Sequence, residues 1–299
     1  MNSRKTLSML MLSAASLIWG TSFIAQILGM EYIGPFTFLA ARYITALIVM
    51  VPVFIIAGRL NREASGSSAL GWKAAIKGGC ICGSALFVAA ALQQYGLLFT
   101  TAGKGAFITA AYIVIVPVLG LFVRKIPSKL TMATIIMAMA GLYLLTVPEV
   151  KGVNAGDFLV LAGAVFWALH IMACGYFSER NDPIKLSTVQ FAAVAVYSLF
   201  FACFAEAPEY KWIALSWKPI LYAGIVCTGV AYTLQMAAQR YVSPVATCII
   251  LSGETLFGAL AGWLVLSERL SARELTGCAV LLAATLFAQL YEIKSAEKS

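Results

Sequence analysis

The chain has 299 residues, 61% of them hydrophobic and only 11% charged, with a formal net charge of +8. Soluble domains carry about 25% charged residues, so a water-soluble globule is excluded and an integral membrane protein in contact with the lipid bilayer is expected. The positive charge is not a nucleic-acid footprint, because the basic residues fall in short segments between apolar runs, and no nucleic-acid partner is expected.

A helix needs about 20 predominantly apolar residues to cross a bilayer. On that criterion ten spans are predicted, near 7–29, 33–57, 73–99, 103–123, 129–147, 156–177, 184–205, 217–239, 244–266 and 272–291. Arg4 and Lys5 precede the first run, and Ala14-Ala15-Ser16 resembles a signal-peptide cleavage site. The run continues to Leu28, longer than a signal h-region, so it reads as a span that stays. The breaks between spans are chemical. Gly34-Pro35, the polar loop from Asn61 to Ser68, the basic turn from Arg124 to Ser128, and the turns at Pro148 to Gly156 and Ser178 to Pro183 separate successive runs. Ser243-Pro244 opens the ninth, where a proline is tolerated because its missing N–H would be unpaired anyway. Seven cysteines all fall inside the apolar runs. Their odd number, without a Cys-x-x-Cys, argues for free thiols rather than disulfides or a zinc site.

Ten spans place both termini on one side. With that side taken as the cytoplasm, six of the 21 Lys and Arg residues fall outside (Lys104, Lys151, Lys211, Lys218, Arg269, Arg273). Arg42 lies within the second span and the others fall inside, so the positive-inside rule favours cytoplasmic termini. Tyr210, Trp212 and Trp217 cluster before span eight on the outer side, where aromatic rings sit at headgroup level.

The sequence also compares with itself. Ser16-Leu-Ile-Trp19-Gly in span one resembles Ala164-Val-Phe-Trp167-Ala in span six, and Leu92-Gln93 in span three answers Leu234-Gln235 in span eight. Thr101-Ala-Gly-Lys104 aligns with Ser243-Pro-Val-Ala246, which sets Tyr112 opposite Glu254. The fold class expected is an all-α membrane protein of ten transmembrane helices arranged as two five-helix repeats, residues 1–150 and 151–299. Five is odd, so the halves would be inverted. Inverted repeats with a site at their interface near the midplane characterise secondary transporters.

Trp19-Gly20-Thr-Ser-Phe23 in span one, Thr101-Ala-Gly-Lys-Gly-Ala-Phe-Ile-Thr109 opening span four, and Leu-Ser-Glu268-Arg-Leu-Ser271 closing span nine occur in order across two five-helix halves. Together they resemble the EamA-type drug/metabolite transporter superfamily over nearly the whole chain. The resemblance implies ten helices, a central cavity lined by both halves, alternating access, and export of amino acids or other metabolites. One departure stands out: the family's commoner pattern follows the mid-helix Glu with Pro, and here Thr255 follows Glu254.

Glu254 is the residue that most needs explaining. It sits mid-span with Gly258 and Gly262 at steps of four, one helix stripe. A Gly-x-x-x-Gly stripe admits a second helix backbone. A carboxylate at mid-bilayer costs about 2.5–3.5 kcal/mol on insertion scales, which makes it a functional candidate. It reads as a substrate contact or as the carrier of a coupling proton. The other reading is a neutral acid bonded between packed helices.

Further candidates fall on neighbouring spans. Lys104 and Tyr112 lie about 80° apart around span four, so both can face one cavity; Lys104 can also snorkel to the headgroups. Gly163, Trp167, His170 and Cys174 form one stripe of span six. His170 reads either as a proton relay or donor to a substrate carboxylate, or as a neutral imidazole bonded to a neighbouring helix. Trp19 and Trp167 form a matched pair that can stack on a substrate or simply pack. Arg42 can pair with Glu254 or hold an anion. Gln93 and Gln235 supply neutral donors and acceptors, and Gln235 shares a helical stripe with Gly224, Thr228 and Ala231.

No Gly-x-x-x-x-Gly-Lys-Ser/Thr, His-Glu-x-x-His or Gly-x-Ser-x-Gly occurs, so neither a built-in nucleotide motor nor an enzyme is expected, and no cofactor or metal. The sequence reads as an inner-membrane secondary transporter exporting a small amphipathic metabolite such as an amino acid. The rival reading is a membrane-embedded enzyme or structural subunit.

Overall fold

The computed structural model describes residues 2–63, 72–122, 124, 126–146, 152, 154–266 and 271–297. The motif residues Glu268 to Leu270, and the charged Lys125, Lys151 and Lys298, lie outside the described residues.

Among those described, nine helices are long and apolar enough to cross a membrane, and a shorter apolar helix, Pro244–Leu260, takes the ninth place in the chain. The elements are α1 (Asn2–Gly29), α2 (Pro35–Glu63), α3 (Trp72–Gly96), α4 (Ala102–Thr109), α5 (Tyr112–Phe122), α6 (Lys129–Thr146), α7 (Ala155–Ser178) and α8 (Pro183–Ala205). Short helices α9 (Tyr210–Leu215) and α10 (Trp217–Leu221) lead into a π-helix, Tyr222–Val230, and then α11 (Ala231–Ala238), α12 (Pro244–Leu251), α13 (Gly253–Leu266) and α14 (Ala272–Glu297). The result is a ten-span all-α membrane fold. The second helix runs through Asn61 to Glu63, three residues into what reads as a loop, because polar residues continue a helix readily once an apolar run has nucleated it.

Two spans are interrupted in their middle. The fourth breaks at Ala110-Ala111, between α4 and α5, and Tyr112 opens the second piece. The ninth breaks at Ser252, between α12 and α13, and Glu254 follows two residues later. No proline is needed at this second break. The Ser16 hydroxyl of α1 donates to Leu251 O at 3.2 Å, satisfying a carbonyl that a helix end leaves without an intrahelical partner. Both interrupted spans begin on a side-chain cap, Thr101 accepting from Lys104 N and Ser243 accepting from Ala246 N.

The first helix is central. It packs against α11, α12, α13 and the π-helix, and it meets α13 backbone to backbone. A Cβ on Gly20 would lie 2.7 Å from both Glu254 O and Gly258 N. Only glycine lets the two helices approach this closely, and the contact fixes Glu254 beside Trp19. Large apolar side chains such as Leu10, Ile48 and Phe204 remain exposed on the outward faces, surface that acyl chains would cover.

Candidate functional site

Between these helices lies a cavity of about 550 Å³ that no protein atom fills, its mouth included. Helix α1 lines it with Trp19, Ser22, Phe23 and Gln26; α3 contributes Gln93. The two interrupted spans contribute Thr109, Tyr112, Leu251 and Glu254, and Arg42, Trp167, Tyr232 and Gln235 close the circle. Of the residues the sequence singles out, Trp19, Arg42, Gln93, Tyr112, Trp167, Gln235 and Glu254 meet at this one cavity.

Its polar contacts are sparse. Tyr112 Oη donates to Glu254 Oε1 at 3.4 Å, a long contact that joins the two helix breaks. Gln93 Nε2 donates to Thr109 Oγ1 at 2.8 Å, and Gln235 Nε2 to Gln239 Oε1 at 3.0 Å. Arg42 Nε donates to Thr228 Oγ1 at 2.6 Å. Arg42 and Glu254 line the same cavity, yet among the described residues neither forms an ion pair with the other or with any third group. The rest of the wall is aromatic. Trp19 and Tyr232 have ring centroids 4.7 Å apart, and Trp167 lies parallel to Tyr232 at 6.2 Å. The Trp19 indole is held from behind, its Nε1 donating to Cys227 O at 2.9 Å.

Two candidates sit elsewhere. His170 is fully buried behind the Trp167–Tyr232 wall, with Nε2 3.1 Å from Gln190 Oε1 and 3.2 Å from Cys174 Sγ. Its ring packs against both aromatic residues and does not reach the cavity. Lys104 is drawn to one end of the bundle. Its Nζ donates to Asp157 Oδ2 at 2.5 Å and to Gly152 O at 2.7 Å. Asp157 also accepts from Thr100 Oγ1 at 2.9 Å and closes a capping box with Asn154 at the start of α7. At the opposite end Lys5 pairs with Glu292 at 2.8 Å, and Glu292 accepts from the Ser243 hydroxyl at the start of α12. The cavity thus lies between two paired-charge clusters.

Sequence reasoning missed several lining residues. Ser22, Phe23 and Gln26 follow Trp19 at three, four and seven residues, a helical stripe that was legible in the spacing. Tyr232 stands three residues before Gln235 and was legible in the same way. Thr228 was placed by spacing on the Gln235 stripe, but its contact with Arg42 was not legible, because residues 222–230 wind as a π-helix rather than an α-helix.

A chain of ten helices around a mid-bundle polar and aromatic cavity, with interrupted helices at its wall, has the form of a multi-pass membrane transporter. The model of the EamA-like transporter family matches residues 6–147 and, a second time, 154–289, and the chain belongs to that family, within the drug/metabolite transporter superfamily. It is 28% identical over 280 residues to an uncharacterized transporter of Archaeoglobus fulgidus, covering 93% of this chain and 84% of the relative. It is 22% identical to the uncharacterized transporter YoaV of Bacillus subtilis over 93% and 95% of the two chains. A chloroplastic WAT1-related protein of Arabidopsis thaliana is 26% identical over 89% of this chain and 65% of its own. A solved crystal structure shares the fold with a TM-score of 0.76 at 17% identity, covering 95% of this chain and 96% of that one. The family and the relatives' names point to transport rather than enzymatic turnover.

Proposed function

We propose that the protein is a secondary active transporter exporting a small amphipathic zwitterion, an amino acid or a close derivative, across the cytoplasmic membrane. The observation that carries this reading is the pair Arg42 and Glu254, a guanidinium and a carboxyl group lining one aromatic cavity without touching. Isolated charges in a low-dielectric interior are costly. A cargo with a carboxylate and an ammonium satisfies both at once, and Trp19, Trp167 and Tyr232 offer faces to its apolar side chain. Tyr112, Gln93 and Gln235 add hydrogen-bonding capacity at the same wall. His170 and Lys104 support that wall and its end closure from outside.

The halves 1–150 and 151–299 act as two inverted repeats that rock about the cavity. The double match to the family model and the matched breaks before Tyr112 and Glu254 support this. Both termini face the cytoplasm, as the distribution of basic residues favours. Glu254 carries a coupling proton between the two states of the cavity.

Flux of a mass-coded amino-acid mixture out of proteoliposomes containing the purified chain, with and without a pH gradient, tests the reading. Gradient-dependent transport of one or more zwitterions is expected. Transport confined to molecules with a single charge or none would overturn the zwitterion reading.

A further inference from the structure

We infer that the π-helical turn Tyr222–Val230 aims the Arg42 guanidinium into the cavity, and that Thr228 on that turn is a positioning residue for a substrate carboxylate. The inference rests on the reading of the cavity as a zwitterion site and deepens it.

A threonine hydroxyl has one hydrogen to donate. Thr228 gives it to Ala223 O at 2.8 Å, five residues earlier, the carbonyl spacing of a π-helix. With that hydrogen committed, its lone pair faces Arg42 Nε at 2.6 Å. A guanidinium is planar, so anchoring Nε fixes where both Nη groups stand. Neither Nη has a hydrogen-bond partner among the described residues, while Arg42 is 4% exposed and lines the cavity. An arginine serving only the fold would have these donors met by backbone carbonyls or side chains. Two parallel N–H donors match a carboxylate in a bidentate fork.

The same turn holds the neighbouring wall. The Cys227 carbonyl accepts from Trp19 Nε1 at 2.9 Å, so adjacent residues fix the cavity's cation and one of its indoles. Gly224 lets the turn lie against α2, since a Cβ there would stand 2.6 Å from Thr45 Cβ and 2.8 Å from Arg42 O. A regular α-helical turn would move the 223 carbonyl off Thr228 and release the hydroxyl that orients Arg42. π-Helical insertions recur at functional sites, and here the reason is specific: this one orients the charged donor from behind.

The test uses the full chain in proteoliposomes with L-phenylalanine and L-phenylalaninamide, which differ only in the carboxylate. Thr228→Val is expected to raise the half-saturating concentration for L-phenylalanine about tenfold, the loss of one charge-assisted contact. The maximal rate should change less, and any response to the amide should not change. Thr228→Ser keeps the hydroxyl and should restore wild-type behaviour. Equal shifts for acid and amide, or no shift in Thr228→Val, would overturn the inference. A second measurement needs no variant and no transport. Modification of Arg42 in the wild type by p-hydroxyphenylglyoxal, mapped by mass spectrometry, should be slowed by benzoate and not by benzamide. Absent or equal protection overturns the inference as well. If wild-type vesicles carry no zwitterion while benzoate still protects Arg42, the cargo reading fails and the carboxylate site stands.

Discussion

Lys104 and Asp157 are as buried as Arg42 and Glu254, at 6% and 5% exposure against 4% and 7%. The first two touch each other; the second two touch no opposite charge among the described residues. An ion pair at the end of a bundle, tied also to a capping box and a backbone carbonyl, is what a fold needs where helices must stay together. Arg42 and Glu254 are held apart in one cavity, each side chain hydrogen-bonded only to a hydroxyl among the described residues, Arg42 to Thr228 and Glu254 to Tyr112. The difference separates an ionisable pair that ties helices together at the bundle end from an acid and a base that face one cavity without meeting.

The comparison breaks most severely at Lys104. Lys104→Met strands the Asp157 carboxylate in a buried site, and removing one member of such a pair costs about 3–5 kcal/mol. A large fall in melting temperature in detergent is expected, with Lys104→Met/Asp157→Asn recovering much of it because no net charge is then stranded. If the single variant melts like wild type, the pair does not close this end of the bundle.

The opposite end should respond less. Lys5 and Glu292 have side chains 18% and 11% exposed, wetter than the Lys104 pair. The wetter site penalises an unpaired charge less, so Lys5→Met should lower the melting temperature by less than Lys104→Met does. A loss equal to that of Lys104→Met would show that the two ends are closed with equal strength. A smaller loss ranks the Lys5 pair as the weaker of the two end contacts.

Much of this arrangement was readable from the chain. Span positions followed from hydropathy alone, because a bilayer demands helices and fixes their length. Glu254, Arg42 and the tryptophans stood out because polar and aromatic groups in apolar runs require a reason. His170 stood out for the same reason, yet lies behind the wall: a stripe defines a face, and a face can meet a neighbouring helix as well as a cavity. Lys104 was placed on the correct element, but its partner Asp157 is on another span and nothing local links them. The helix break before Glu254 could not be read from Thr255: the Thr255 N–H turns to Ser252 O at 3.2 Å, and Ser16 of a distant helix donates to the Leu251 carbonyl it leaves. The π-helix was hidden for a related reason. Its sequence, YAGIVCTGV, is an ordinary apolar run, and its extra residue per turn is settled by packing against α2 and by the Thr228 hydroxyl.

The smallest expected effect on stability, and the most telling for function, belongs to Glu254→Gln. Glutamine keeps the shape of the side chain and can still accept the Tyr112 hydroxyl. Because Glu254 has no cationic partner among the described residues, the change strands no opposite charge, and the melting temperature should hold or rise slightly. The contrast with Lys104→Met is then in sign as well as size. What should be lost is coupling: zwitterion exchange down its own gradient should persist in proteoliposomes at a reduced level, with a higher half-saturating concentration because the ammonium loses a charged partner, while acceleration by an imposed pH gradient should vanish, since an amide does not take up and release a proton. A sharply lower melting temperature would place Glu254 with the structural charges at the bundle ends. Unchanged acceleration by the pH gradient would remove Glu254 from the proton path and leave it as a contact for the cargo ammonium alone.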